Sequence, residues 1–148
     1  MRKYLIVAML FCCSIAFAQN VKRPDTYNYN RGVEAIQNNN AEEALEYLNK
    51  ELNDNPQNGY ALAWIATVRK YQEEYGRALT AVDLALKYIP QKDKQYMAFA
   101  YTVRSEVYVG LGEKDKALAD LSSAIKETPD DADVYEKRAN LYYYMDKY

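Results

Sequence analysis

The chain has 148 residues, 49% of them hydrophobic and 27% charged, with five glycines, four prolines and a formal net charge of −2. This is the profile of one core-forming unit and excludes a disordered segment. Acidic and basic residues are interspersed along it, so no basic stripe points to nucleic acid and no polybasic stretch to anionic lipid.

The first twenty residues do not read as part of the fold. Arg2 and Lys3 precede a short apolar run, Tyr4 to Ile15, which ends in Ala16-Phe17-Ala18, the small-x-small pattern that signal peptidase reads. The run is shorter than the roughly 20 residues of a spanning helix. Residues 1–18 are therefore expected to be a cleaved export signal, which makes the mature protein periplasmic or secreted and leaves it without a membrane span; an uncleaved anchor is the alternative. Lipid anchoring is not expected, because Phe11 and Cys12 precede the two cysteines, Cys12 and Cys13, where a small residue is needed. Cleavage leaves 17 basic and 21 acidic residues, a net charge of −4, with neither Cys nor His. Such a chain is held by packing and not by disulfides.

Residues 19–24 form a polar lead-in closed by Pro24. From there apolar residues fall at helical spacing in paired segments. Helices are expected over Asp25–Gln37 and Ala41–Asn53, with Asn38-Asn39-Asn40 as the turn and Asn40 as N-cap. The next pair covers Gly59–Gln72 and Tyr75–Tyr88. A third runs from Asp93 to Leu111, turns at Gly112 and continues over Lys114–Lys126. A last helix begins at Ala132 behind Asp130 and Asp131, acids suited to a helix start.

The segment Ala78 to Pro90 has two near copies. Ala44 to Ala78 and Pro56 to Pro90 are both 34 residues, whereas Ala78 to Ala117 and Pro90 to Pro129 are both 39. A fixed period marks a repeat array. The longer step adds five residues within Gln91 to Met97, where an insertion costs little. The expected organisation is repeat 1 over 25–58, repeat 2 over 59–92, an insertion at 93–97 that extends the next helix, repeat 3 over 98–131, and a first or terminal helix over 132–148.

Gly32, Ala66, Ser105 and Ala139 are the small residues of the first helices; Ala44, Ala78 and Ala117 open the second helices, with Leu48, Val82 and Leu121 one turn on; Pro56, Pro90 and Pro129 close them. In these residues the chain from Asp25 onward resembles the tetratricopeptide repeat family, whose unit is a 34-residue helix-turn-helix. Departures are Arg69 and Ala35 for a preferred Tyr, Glu51 for a small Ala and Asn28 for a large apolar residue, which makes the first repeat the weakest. The resemblance implies an all-α, right-handed superhelical array of antiparallel helix hairpins with the first helices lining a concave groove.

It also implies that the groove binds a peptide or protein segment. The family's groove positions fall here on Tyr29 and Val33, on Tyr60, Ala63, Thr67, Lys70 and Tyr71, on Phe99, Thr102 and Glu106, and on Asp133, Glu136 and Asn140. The rings among them either contact a ligand, as rigid aromatics do at recognition hot spots, or fill the inner curve between helices. Chaperone-binding members hold a partner's terminal carboxylate with Lys, Asn and Arg. The corresponding sites here are Tyr29, Val33, Trp64, Phe99 and Val103, none of which donates a charge-assisted hydrogen bond. That ligand is not expected.

Catalysis has little to draw on. Without Cys or His beyond the leader, nucleophile-base pairs and ordinary zinc sites are missing, and no cofactor or metal is expected. Glu42-Glu43, Glu73-Glu74 and Asp130-Asp131 are adjacent pairs, which do not face one another on a helix. At the C-terminus Tyr142, Tyr143, Tyr144 and Tyr148 leave little polar outer face, so an assembly surface and self-association are expected there. The chain reads as an exported, non-enzymatic interaction scaffold; the alternative is the targeting region of a larger envelope enzyme whose catalytic domain lies beyond Tyr148.

Overall fold

The computed structural model describes residues 21–146. The export-signal reading of residues 1–18 and the terminal Tyr148 lie outside them. Among the described residues seven helices follow one another: α1 (Tyr27–Gln37), α2 (Ala41–Asp54), α3 (Gly59–Tyr71), α4 (Tyr75–Tyr88), α5 (Lys94–Gly110), α6 (Lys114–Glu127) and α7 (Ala132–Asp146). Among the described residues there is no strand, and no helix is long and apolar enough to cross a membrane. The fold is all-α.

Local chemistry sets most of the boundaries. Thr26, Asn40, Asn58 and Asp93 precede α1, α2, α3 and α5, and the side chain of each accepts a hydrogen bond from the backbone N–H three residues on. These are N-caps, satisfying amides that the helix cannot. At α7 the Asp131 carboxylate accepts from the Asp133 N–H at 3.1 Å. The three turns inside the hairpins share one geometry. Asn39, Glu73 and Gly112 have φ of 58°, 59° and 78°, and the next N–H reaches back to Ala35, Arg69 and Tyr108 at 2.8, 2.9 and 2.8 Å. This left-handed closure takes up free carbonyls at a helix end. Glycine suits it and asparagine tolerates it, but at Glu73 a Cβ is forced into the conformation.

The hairpins α1–α2, α3–α4 and α5–α6 pack side by side, and α1 touches α3 as α3 touches α5. The second helices α2, α4 and α6 pack far less on one another. First helices therefore lie on the inside of the curve. Helix α3 is at its centre, buried at every residue from Gly59 to Val68, as an apolar helix without a polar face must be. Close approach explains two small residues: a Cβ on Gly32 would meet Leu48 Cγ at 2.6 Å, and one on Gly59 would meet the Ile89 amide nitrogen at 2.5 Å. Ala66 and Ser105 are likewise buried, whereas Ala139 on α7 is exposed.

The core divides into a larger cluster from α1 to Val103 in the middle of α5 and a smaller one of Ala98, Ala117, Leu121, Ala124, Val134 and Leu141. Buried acids tie the layers together. Glu51, out of pattern for a small-residue position, is 2% exposed and accepts from Thr26 Oγ1 at 2.5 Å and from Asn55 Nδ2 and Asn58 Nδ2 at 2.9 Å each. One carboxylate thus joins the caps of α1 and α3 to the end of α2. Asp120 accepts the Arg104 fork at 2.8 Å through both oxygens, and Arg104 also reaches Asp83 at 2.9 Å, binding α5 to α6 and α4.

Two glycine exchanges separate close approach from turn strain. Gly59→Ala should lower stability by roughly 1–3 kcal/mol, since the added methyl meets backbone that cannot step aside. Glu73→Gly should raise it by up to about 1 kcal/mol by relieving the left-handed residue. Chemical denaturation of both variants checks the pair of signs.

Candidate functional site on the inner helix face

The inner face carries two environments built by different residues. At the N-terminal ends of the first helices an aromatic cluster fills the curve. Tyr29 and Tyr60 are buried, and Trp64, Tyr96 and Phe99 pack with them. Tyr60 and Tyr96 meet edge to face at 4.7 Å between ring centres, and Trp64 lies 4.8 Å from Phe99. Such pairs add about 0.5–1.5 kcal/mol beyond their buried area. The polar tips are satisfied: Trp64 Nε1 donates to the Tyr29 hydroxyl at 3.2 Å, which lies 3.1 Å from the Tyr96 hydroxyl. Burial pushes the Tyr29 and Tyr60 phenols up.

Next to this cluster lies an ion pair between a half-buried arginine and a buried carboxylate. Asp93, 2% exposed, accepts from Arg23 Nε at 2.8 Å, from Arg23 Nη2 at 3.0 Å and from the Tyr60 hydroxyl at 3.1 Å, and it caps α5 through the Tyr96 N–H at 3.2 Å. Burial alone would push the Asp93 carboxyl up, but the Arg23 fork, the Tyr96 N–H and the Tyr60 hydroxyl outweigh it and leave it below its ordinary value of 3.8.

Towards the C-terminal half the face is charged. Glu106 of α5 pairs with Lys70 of α3, and with Lys137 of α7 at 2.8 Å, so one carboxylate links three first helices. Burial pushes Glu106 up, and the two ammonium groups more than offset it. Lys70 Nζ also lies 4.2 Å from the centre of the exposed Tyr71 ring.

The positions expected to line a groove therefore separate. Tyr29, Tyr60, Ala63 and Thr67 are buried, Thr67 donating to the Ala63 carbonyl at 3.0 Å. For these four the structure corrects the expectation of an accessible lining: the inner curve is too tight to leave them open, and they are core. Val33, Phe99 and Thr102 are half-buried, with Thr102 bonded to the Ala98 carbonyl at 2.9 Å. Lys70, Tyr71 and Glu106 are brought together, and Asp133, Glu136 and Asn140 are exposed on α7. Tyr142, Tyr143 and Tyr144 of the expected assembly surface are exposed at 51%, 57% and 57%. Sequence reasoning did not find Arg23, Asp93, Tyr96 or Lys137 as partners. Arg23 and Asp93 are 70 residues apart, and the repeat pattern relates only neighbouring units.

Comparison with solved structures decides the architecture. The first TPR domain of human RPAP3 superposes with a TM-score of 0.73 over 81% of this chain and 91% of that one, at 14% identity. The tetratricopeptide-repeat fold is the fold of this chain. The Arabidopsis OM64 TPR domain gives 0.70 at 16% identity, covering 77% and 90% of the two chains. The first TPR of Spaghetti (RPAP3) bound to the HSP90 peptide SRMEEVD gives 0.72 at 14%, covering 80% and 92%. No protein-family model matches the chain, nor does any curated protein sequence. At these identities the likeness is one of TPR fold.

The sign of acid sensitivity follows from Asp93. Its folded-state value is depressed, so its contribution is fully present above the ordinary value and is lost as pH falls through the folded one. Asp93→Asn should cost about 2 kcal/mol at neutral pH, the worth of charge-assisted bonds to a buried acceptor. It should also flatten the decline in stability below about pH 4, as urea unfolding across a pH series would read.

Proposed function

We propose that this chain is an exported, non-enzymatic interaction scaffold that holds a peptide or protein segment against the C-terminal half of its inner face. The observation that carries the reading is the exposed Tyr71 ring beside the Lys70–Glu106–Lys137 bridge. Glu106 bridges Lys70 of α3 and Lys137 of α7, so α3 and α7 face a common surface. Glu136 and Asn140 extend it along α7. A rigid aromatic among fixed charges of both signs suits an extended segment that offers an apolar side chain to Tyr71 and a basic one to Asp133 and Glu136.

Solved TPR neighbours support a peptide ligand in general: one is bound to the HSP90 peptide SRMEEVD and another to the HSP70 peptide SGPTIEEVD. An acidic peptide of this kind does not carry over to the N-terminal half of this face. Tyr29, Val33, Trp64, Phe99 and Val103 supply no cation there, and the aromatic cluster occupies the space. Export rests on the leader pattern of residues 1–18, and the non-enzymatic reading on the absence of Cys and His after it. Self-association through the exposed tyrosines of α7 belongs to the same proposal.

A displayed peptide library selected against the chain supplies ligands for the test. Tyr71→Ala should weaken the selected peptides about tenfold at unchanged melting temperature; peptides that bind this variant as well as the original would sink the reading. In light scattering of the same samples, Tyr144→Lys should lower any dimer fraction, and a monomer at all concentrations would remove self-association.

A further inference from the structure

The five residues that lengthen the repeat, 93–97, supply most of a slot shaped for an arginine. Asp93 takes Arg23 Nε and Nη2 at 2.8 and 3.0 Å, Gln95 Oε1 accepts from Nη2 at 2.9 Å, and the Tyr96 ring lies 4.8 Å from the guanidinium carbon. Tyr60 of α3 completes it by donating to Asp93. These walls belong to α3 and the start of α5 and are fixed by bonds of their own, the Tyr96 N–H to Asp93 and the Tyr60–Tyr96 ring contact. The occupant comes from elsewhere. Arg23 sits in a non-helical segment, residues 21–26, ahead of α1.

A planar carboxylate meeting the guanidinium fork, an amide oxygen on the remaining nitrogen and an aromatic face beside it are a recognition geometry specific to arginine; lysine meets only part of it. The segment also borders an open hollow of about 670 Å³ that reaches Asn58, Tyr88 and Pro90, leaving room for residues flanking an arginine. We propose that the slot is a binding site for arginine in a peptide, occupied in cis by residues 21–24 and opened to a partner's arginine when that segment leaves, while Thr26 stays as the cap of α1. The occupant already seated gives the ligand's class: a non-helical segment that carries an arginine, here within Val-Lys-Arg-Pro-Asp-Thr. The site is separate from the Tyr71 surface and stands without it.

The test uses the full chain carrying Arg23→Ala, with helical content checked by circular dichroism, and a fluorescein-labelled Val-Lys-Arg-Pro-Asp-Thr peptide read by anisotropy. The folded variant should bind the peptide at least tenfold more tightly than the unaltered chain, in which Arg23 competes. A peptide with Ala in place of Arg should not bind, and adding Asp93→Asn should abolish binding. A folded Arg23→Ala chain that binds no better than the unaltered one overturns the proposal and leaves the slot a purely structural clasp. If Arg23→Ala does not fold, the unaltered chain answers instead: excess unlabelled peptide should shift the Arg23 Nε–H resonance from its hydrogen-bonded position, and a resonance that stays unmoved overturns the proposal equally.

Discussion

Helix α3 has no solvent face from Gly59 to Val68, and this burial constrains the rest of the molecule: α1 and α2 must cover one side of it, α4 a second and α5 a third. Fully burying side chains such as Trp64, Ile65, Leu62 and Val68 is worth about 1.5–3 kcal/mol each. No single hairpin supplies that cover, so the stability of each unit depends on its neighbours. The close fit at Gly59 against Ile89 and at Gly32 against Leu48 follows from the same requirement.

Crowding around α3 also divides the inner face into a closed part and an open one. At the N-terminal ends of the helices the curve is narrow enough for Tyr29, Tyr60, Trp64, Tyr96 and Phe99 to meet, and once they meet all but Phe99 are buried. Polar groups trapped by that closure are answered one by one: Asp93 by Arg23 and Tyr60, Glu51 by Thr26, Asn55 and Asn58, the Trp64 N–H by Tyr29. Each buried carboxylate would cost several kcal/mol without its partners, so these hydrogen bonds fix the relative position of hairpins that apolar packing alone would let slide. Farther along, Glu106 spans Lys70 and Lys137, and the surface is open and charged.

Much of the helical arrangement was legible because it is local. The cap at Asn40 and the turn at Gly112 each act within a few residues of themselves, and the 34-residue period repeats that local pattern; the first helix, expected from Asp25, starts instead at Tyr27 behind the Thr26 cap. What the sequence hid is what couples distant positions. Glu51 reads as a departure from a small residue and is a buried hub between three helix ends. Tyr29 and Tyr60 occupy positions at which a wider array would expose them, and only the tightness of this curve makes them core. The 93–97 stretch reads as an inexpensive insertion; that it carries a cap, an ion-pair acceptor and a ring for an arginine 70 residues away is set by tertiary placement.

An aromatic core closes the N-terminal half of the inner face. The chain has a single tryptophan, and Trp64 lies in the middle of that core at 8% exposure, so its fluorescence reads the closure without mutation. Acrylamide quenching of the folded protein should show a blue-shifted emission with a quenching constant several-fold below that of the urea-unfolded chain. A red-shifted emission quenched as readily as in the unfolded chain would mean that the ring faces water and that the groove is open where this structure closes it.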